Sequence, residues 1–315
     1  MKNCCITNRS KIERIAKLRY LKVTKSVWLL LTLCICIVMT SCQSSSPHPT
    51  ALAKVSVICP TFNRPERHAN LYATFAHQTY ENRELLVLDD SPEPSPFFTN
   101  LRDPRVKYQH LPKRTSIGFK RNFLANIASG EFIAHFDDDD YYAPTYLAEM
   151  IEKLGSADLI KLSKWLAWRE LDGTLWEWDT RRFSQICYVI NGNDRNSSIL
   201  DVEKLKESDA AFTGQIAGVV EANTWGYGFS YVYRKTLWQE CPFEDLYGGE
   251  DYNFICKARS LNKVMIHTPD LSYLVLHTLH PKSTSRIFPQ YRHDASMGIK
   301  TLGEQATPWL LKRAA

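Results

Sequence analysis

The sequence carries no phosphate-binding P-loop, and its glycine-spaced stretch Gly226-Tyr227-Gly228 lacks the spacing of a dinucleotide fingerprint. Close cysteine pairs are also missing. Five of the nine cysteines precede residue 43, and Cys59, Cys187, Cys241 and Cys256 stand far apart, so neither a zinc site nor a disulfide framework is expected. Those four are read as free thiols, buried by the usual preference of the residue. The body of the chain has little excess positive charge. Residues 1–25 hold eight Lys and Arg against Glu13 alone, more than the net +5 of the whole chain, so the remainder is slightly acidic. Nothing there suggests a nucleic-acid partner.

Long hydrophobic runs are scarce, with one exception. Residues 27–39 are almost unbroken in apolar character, and the stretch 26–42 reaches the lower limit for spanning a bilayer. With a basic lead of residues 1–25, it reads as a membrane anchor or signal segment, single-pass or lipoprotein-like, with a cytoplasmic N-terminus. Met39-Thr40-Ser41-Cys42 resembles a bacterial lipoprotein cleavage site, with Met39 departing from the usual Leu. Residues 43–53 are a Ser/Pro-rich linker, residues 54–285 the main domain, and residues 286–315 a mixed tail.

Within the main domain, short apolar runs alternate with helical patterns. Val55–Cys59, Glu84–Leu88, Val106–Tyr108 and Glu131–Phe136 read as strands. A helix with Leu71, Phe75 and Ala76 on its buried face follows the first, a helix from Gly118 to Ser129 stopped by Gly130 precedes the fourth, and another runs from about Pro144 to Leu154. Such alternation predicts an α/β fold, a mainly parallel sheet with helices on both faces. Ligands of these sheets bind beyond the carboxyl ends of the strands. Three strands there end in polar loops: Pro60–Arg64, Asp89–Ser91 and Asp137–Asp140. The four consecutive Asp are the sharpest feature, a solvated acidic loop or the seat of a divalent cation.

Beyond Leu159–Leu162, a further strand, the composition changes. Asp172-Gly173 between two Trp-rich segments signals a two-residue hairpin, and the tryptophans are read as packing residues, with sugar stacking as the alternative. Residues 183–215 look irregular and suited to a loop over a ligand. Gly248-Gly249 introduce Glu250-Asp251 at the head of a helix reaching about Ser260, where acidic residues also complement the helix dipole. Late strands cover Lys263–His267 and Leu271–Leu276, the second ending at His277, with His280 three residues on.

Taken together, Val55–Arg64, Gln78-Thr79-Tyr80, Leu86–Ser91, Gly118–Asn122, Gly130–Asp140 and Gly249–Asp251 resemble, in this order, the family 2 glycosyltransferases of GT-A fold over residues 54–280. The resemblance implies a nucleotide-sugar donor, UDP-sugar favoured, with Pro60, Phe62 and Arg64 in the first turn and Phe62 against the base. Asp90 would hydrogen-bond the base, Arg121 would help to hold the nucleotide, and Asp138 would reach the ribose. Asp137 and Asp139 match the Asp-x-Asp pair for Mn²⁺ or Mg²⁺, in a register ambiguous by one. His277, or His280 in its place, would add a metal or phosphate contact. Asp251 matches the catalytic base and Glu250 its neighbour. The residue types suit a single displacement with inversion, since a carboxylate remote from the metal can accept the proton of an acceptor hydroxyl. The acceptor, whether glycan, lipid or protein, has no readable code. The competing reading is a membrane-tethered carbohydrate-binding or degenerate, non-catalytic module. Sugar nucleotidyl transfer is set aside because Pro60–Arg64 is not the glycine- and lysine-rich loop it needs.

Overall fold

A computed structural model describes residues 52–182, 186–190, 197–201, 221–280, 283, 287–288, 291–294 and 302. Among them no helix is long and apolar enough to cross a membrane, and the apolar run 27–39 lies outside them.

The first half builds a parallel block. Strands β1 (Val55–Thr61), β2 (Arg83–Asp89), β3 (Val106–His110) and β4 (Phe132–His135) lie in the order β3-β2-β1-β4, all parallel. Their side chains alternate between two apolar layers, as the period-2 geometry of a strand requires. Val55, Val57, Cys59, Leu85 and Val87 face one side, where Leu71 and Phe75 of α1 (His68–Ala76), Phe98 of α2 (Pro96–Asn100) and Leu147, Met150 and Leu154 of α4 (Tyr146–Leu154) cover them. Ile58, Leu86 and Leu88 face the other, under Leu124 of α3 (Ile117–Ile127), Leu237 of α5 (Lys235–Glu240) and Phe254 and Ile255 of α6 (Glu250–Ser260). Each such side chain, fully buried, contributes roughly 1.5–3 kcal/mol.

The second half departs from the parallel expectation. Strand β10 (Val232–Arg234) inserts antiparallel between β4 and the long β6 (Leu159–Arg169), making the sheet mixed. β6 then pairs antiparallel with β7 (Thr174–Asp179) and parallel with β11 (Met265–Pro269) and β12 (Val275–Leu279). The short β5 (Tyr141–Tyr142) crosses back onto β12, and β14 (Tyr291–His293) extends the β7 edge. A separate small sheet joins β8 (Ile186–Ile190), β9 (Ser197–Asp201) and β13 (Ile287–Phe288). The stretch read as irregular therefore contains two strands; its remaining residues lie outside the described ones.

Several local expectations are corrected. Arg169 pairs with Thr174, so the hairpin loop has four residues rather than Asp172-Gly173 alone. Gly130 does not stop α3, which ends at an extended Ala128. A Cβ on Gly130 would stand 2.7 Å from the Lys54 carbonyl oxygen, so its role is to let two backbones meet. His277 lies inside β12, not beyond a strand end. Cys59 and Cys241 are buried free thiols, but Cys256 is exposed. Trp165 and Trp178 are each 2 % exposed and pack against Tyr227, which supports packing over sugar stacking for these two.

Candidate active site

The carboxyl ends of β1 and β4 open, together with the start of α6, onto one cavity of about 610 Å³, a volume ordinary for a small-molecule site. Pro60, Phe62, Arg64, Arg121, Asp137, Asp138, Asp139, Glu250, Asp251 and His277 line it. Asp90, Asp140 and His280 sit behind that first layer, each touching a group nearer the cavity.

The four Asp have four different environments. Asp138 accepts from Thr61 Oγ1 and, at 2.7 Å, from Arg64 Nη1. Asp139 meets Arg64 Nη1 at 2.8 Å and His280 Nε2 at 2.7 Å. Asp140 meets His277 Nδ1 at 2.7 Å and accepts from the Thr278 backbone N–H at 2.8 Å. The Asp137 carboxylate has no hydrogen-bond partner among the described residues. Burial, then Asp140 and Asp139, push its pKa up to about 7. Burial alone would raise Asp139 as well, but His280 and Arg64 hold its carboxyl well below the usual range. Burial would depress His277, yet Asp140, helped by Asp139 and Asp137, raises it to about 9.

One oxygen each of Asp137, Asp139 and Asp140 lies within 4.8 Å of the others. Clustered hard oxygen donors, one of them unpartnered, fit Mg²⁺ or Mn²⁺. His277 meets Asp140 through Nδ1 and stacks on Phe229 at 4.5 Å, an arrangement in which Nε2 is the ring atom that could serve a metal.

Asp251 lines the same cavity but is not part of that cluster. Gly249 caps α6, and the first helical turn carries both Glu250 and Asp251. Asp251 Oδ2 accepts the Gly228 backbone N–H at 2.9 Å. Glu250 is buried and bonded to Arg121 Nη1. A Cβ on Gly228 would stand 3.0 Å from both the Arg121 guanidinium and the Asp251 Cβ, so a larger residue would have to push them aside by a few tenths of an ångström. Arg121 lines the cavity with its Nη1 engaged by Glu250.

At the third corner, the Arg114 guanidinium lies 3.3 Å from the centre of the Phe62 ring. Asp90 accepts from Lys120 Nζ at 2.7 Å and from the Thr115 backbone N–H at 2.7 Å. Sequence reasoning passed over Arg114, Lys120, Thr61, Asp140 as a third metal-site carboxylate, and Gly228. Lys120, Thr61 and Asp140 stand within the motifs Gly118–Asn122, Val55–Arg64 and Gly130–Asp140; the contacts of Arg114 and Gly228 arise from distant segments and leave no local signal.

The GT-A-like mixed α/β fold with an Asp-rich cluster at the strand ends points to a class, the glycosyltransferases. The profile of Glycosyl transferase family 2 matches residues 56–214, half of the chain, and the chain belongs to that family. Among curated relatives, the GalNAc(5)-diNAcBac-PP-undecaprenol beta-1,3-glucosyltransferase of Campylobacter jejuni is 29% identical over 206 residues, covering 63% of this chain and 58% of that protein. An Escherichia coli UDP-Glc:alpha-D-GlcNAc-diphosphoundecaprenol beta-1,3-glucosyltransferase is 32% identical over 102 residues, covering 32% of this chain and 40% of its own length. The matches thus span about two fifths to three fifths of these two relatives. The structure of S. aureus TarS 1-349 in complex with UDP-GlcNAc superposes with a TM-score of 0.51 at 21% identity, over 74% of this chain and 60% of that one. A Pyrobaculum calidifontis mannosyltransferase in complex with GDP-Man and Mn²⁺ gives a TM-score of 0.50 at 16% identity, over 76% and 60%.

Proposed function

We propose that the chain transfers a sugar from a nucleotide-diphosphate sugar, UDP-sugar favoured, to an acceptor hydroxyl with inversion. The observation that carries this reading is a cavity with two separate carboxylate groups. Asp137 and Asp139 line it with Asp140 behind them, and Asp251, held by the Gly228 N–H and outside that cluster, lines it as well. Phe62 supplies a face for the base, Arg64 lines the cavity beside the Asp cluster, and Asp90 stands behind Lys120. Mn²⁺ or Mg²⁺ held by Asp137, Asp139 and Asp140 would offset charge on the departing diphosphate. Asp251 accepts the proton of the acceptor hydroxyl as its oxygen bonds to the anomeric carbon. The bond from that carbon to the diphosphate breaks on the opposite side, and its electron pair leaves with the diphosphate.

The named acceptors of the two glucosyltransferase relatives are sugars on undecaprenyl diphosphate. Together with the apolar run 27–39, this favours a lipid-linked glycan acceptor and membrane attachment through residues 26–42, ahead of a catalytic domain at 54–285. Asp251→Asn should lower transfer by roughly 10²–10⁴-fold while donor binding, followed calorimetrically, is kept. Retained turnover with lost binding would overturn the role.

A further inference from the structure

The loop that holds Asp251 is itself held by a buried cation. Lys161, near the start of β6, is 0 % exposed. Its Nζ donates to the carbonyl oxygens of Thr224 and Gly226, both at 2.7 Å, and lies 5.8 Å from the centre of the Trp165 ring. The two carbonyls bracket the end of the helical residues 221–225, where a cation is favourably placed. Gly226 is close to the base: a Cβ there would stand 3.7 Å from Asp251 Oδ2. Tyr227, between the clamped Gly226 and the Gly228 whose N–H binds Asp251, has φ +59, a left-handed conformation a tyrosine rarely adopts. On its far side the Gly228 carbonyl is bonded to His135 Nδ1 at 2.8 Å. The strained turn is fixed at both ends by buried side chains, and it aims one N–H, that of the buried Gly228, at one carboxylate.

We infer that Lys161 is a positioning residue for transfer: its ammonium fixes the 224–228 turn and so orients Asp251 toward the acceptor. The inference rests on the reading of Asp251 as the base. Burying an ammonium is costly, and the surroundings reflect it, since burial, partly offset by Asp251, lowers the Lys161 pKa to about 7. A leucine or methionine would fill the same space in a strand between apolar neighbours without that cost. The Lys is therefore better explained by what it holds than by packing.

The test compares Lys161→Met and Lys161→Gln with the wild-type chain, measuring kcat, donor KM and calorimetric donor affinity. Misplacing a catalytic group by about 1 Å costs roughly 100-fold in rate. The expected result is a kcat lowered about 10–100-fold in Lys161→Met, with a smaller loss in Lys161→Gln, which keeps N–H donors. Donor affinity should stay within about twofold, because the Asp cluster and Phe62 are untouched. A kcat near wild type, a parallel loss of donor affinity, or failure of both variants to fold would each overturn the inference. If Asp251→Asn abolishes transfer while Lys161→Met does not slow it, only the inference about Lys161 fails. If Asp251→Asn transfers normally, the reading of the base fails first.

Discussion

Arg121 offers the sharpest test of how the site is held together. Its guanidinium and the Glu250 carboxylate form an ion pair with side chains only 6% and 5% exposed, and Nε finds no partner. The Phe243 ring centre lies 5.7 Å from the guanidinium carbon, so one side of the pair is apolar. Replacing Arg121 by Met leaves a nearly buried carboxylate without its partner. Breaking one half of a buried pair typically costs about 3–5 kcal/mol, a large share of the roughly 5–15 kcal/mol that holds a domain together. At about 2–4 °C per kcal/mol for a domain of this size, the melting temperature should fall by roughly 6–20 °C. Replacing both members, Arg121→Met with Glu250→Met, removes both desolvation costs and should recover most of that loss. Urea unfolding of the two single variants and the double variant closes the cycle. If Arg121→Met costs under about 1 kcal/mol, or if the double variant is no more stable than the worse single one, the pair does not hold α3 to α6 as argued. Donor calorimetry on the double variant separates the roles: unchanged affinity assigns Arg121 to the scaffold, and a large loss assigns it to nucleotide binding.

At the other end of the sheet, Glu84 is 2 % exposed and takes hydrogen bonds from Ser56, Ser129 and Lys107. Burial alone would raise its pKa, but those bonds hold it at about 2. The folded value lies below the unfolded one, so the stabilisation, about 3 kcal/mol, is complete above roughly pH 4.5 and is lost as pH falls toward 2. Glu84→Gln should therefore be less stable than wild type at pH 7, and the difference should vanish across that window in acid-unfolding curves. Asp137→Asn should weaken calorimetric Mn²⁺ binding by roughly tenfold or more while the metal-free melting temperature holds or rises, because one of four crowded negative charges is gone. A falling melting temperature with unchanged Mn²⁺ binding would remove Asp137 from the metal seat.

What was legible in the sequence was what local periodicity encodes. The apolar runs at Val55, Glu84 and Phe132 became parallel strands because alternation alone gives each two buried faces, and the polar residues after them fall at one rim by topology. Glu250 and Asp251 were placed at a helix start by the glycines before them. Contacts between distant segments were not legible. Four identical Asp look equivalent along the chain, and only the fold makes them differ, by delivering Arg64, His280 and His277 to three of them and nothing to Asp137. The antiparallel β10 escaped for a similar reason, since three strand residues after Gly228–Ser230 carry too short a pattern to reveal direction.

That same strand explains why the site has two separate carboxylate groups. In a wholly parallel sheet the neighbour of β4 would end at the same rim and bring another polar loop there. β10 runs the other way, so the rim beside β4 receives the loop that precedes β10, residues 226–230. The peptide of Gly228 can then lie between His135 of β4 and Asp251 of α6, bonded to both. The strand end delivers the acidic cluster, and the loop entering the antiparallel strand delivers the support for a separate carboxylate. An inverting displacement needs this division, because the carboxylate that takes the acceptor proton must remain uncommitted to the metal. Reversing one strand between β4 and β6 supplies the support for the second carboxylate without disturbing the first group.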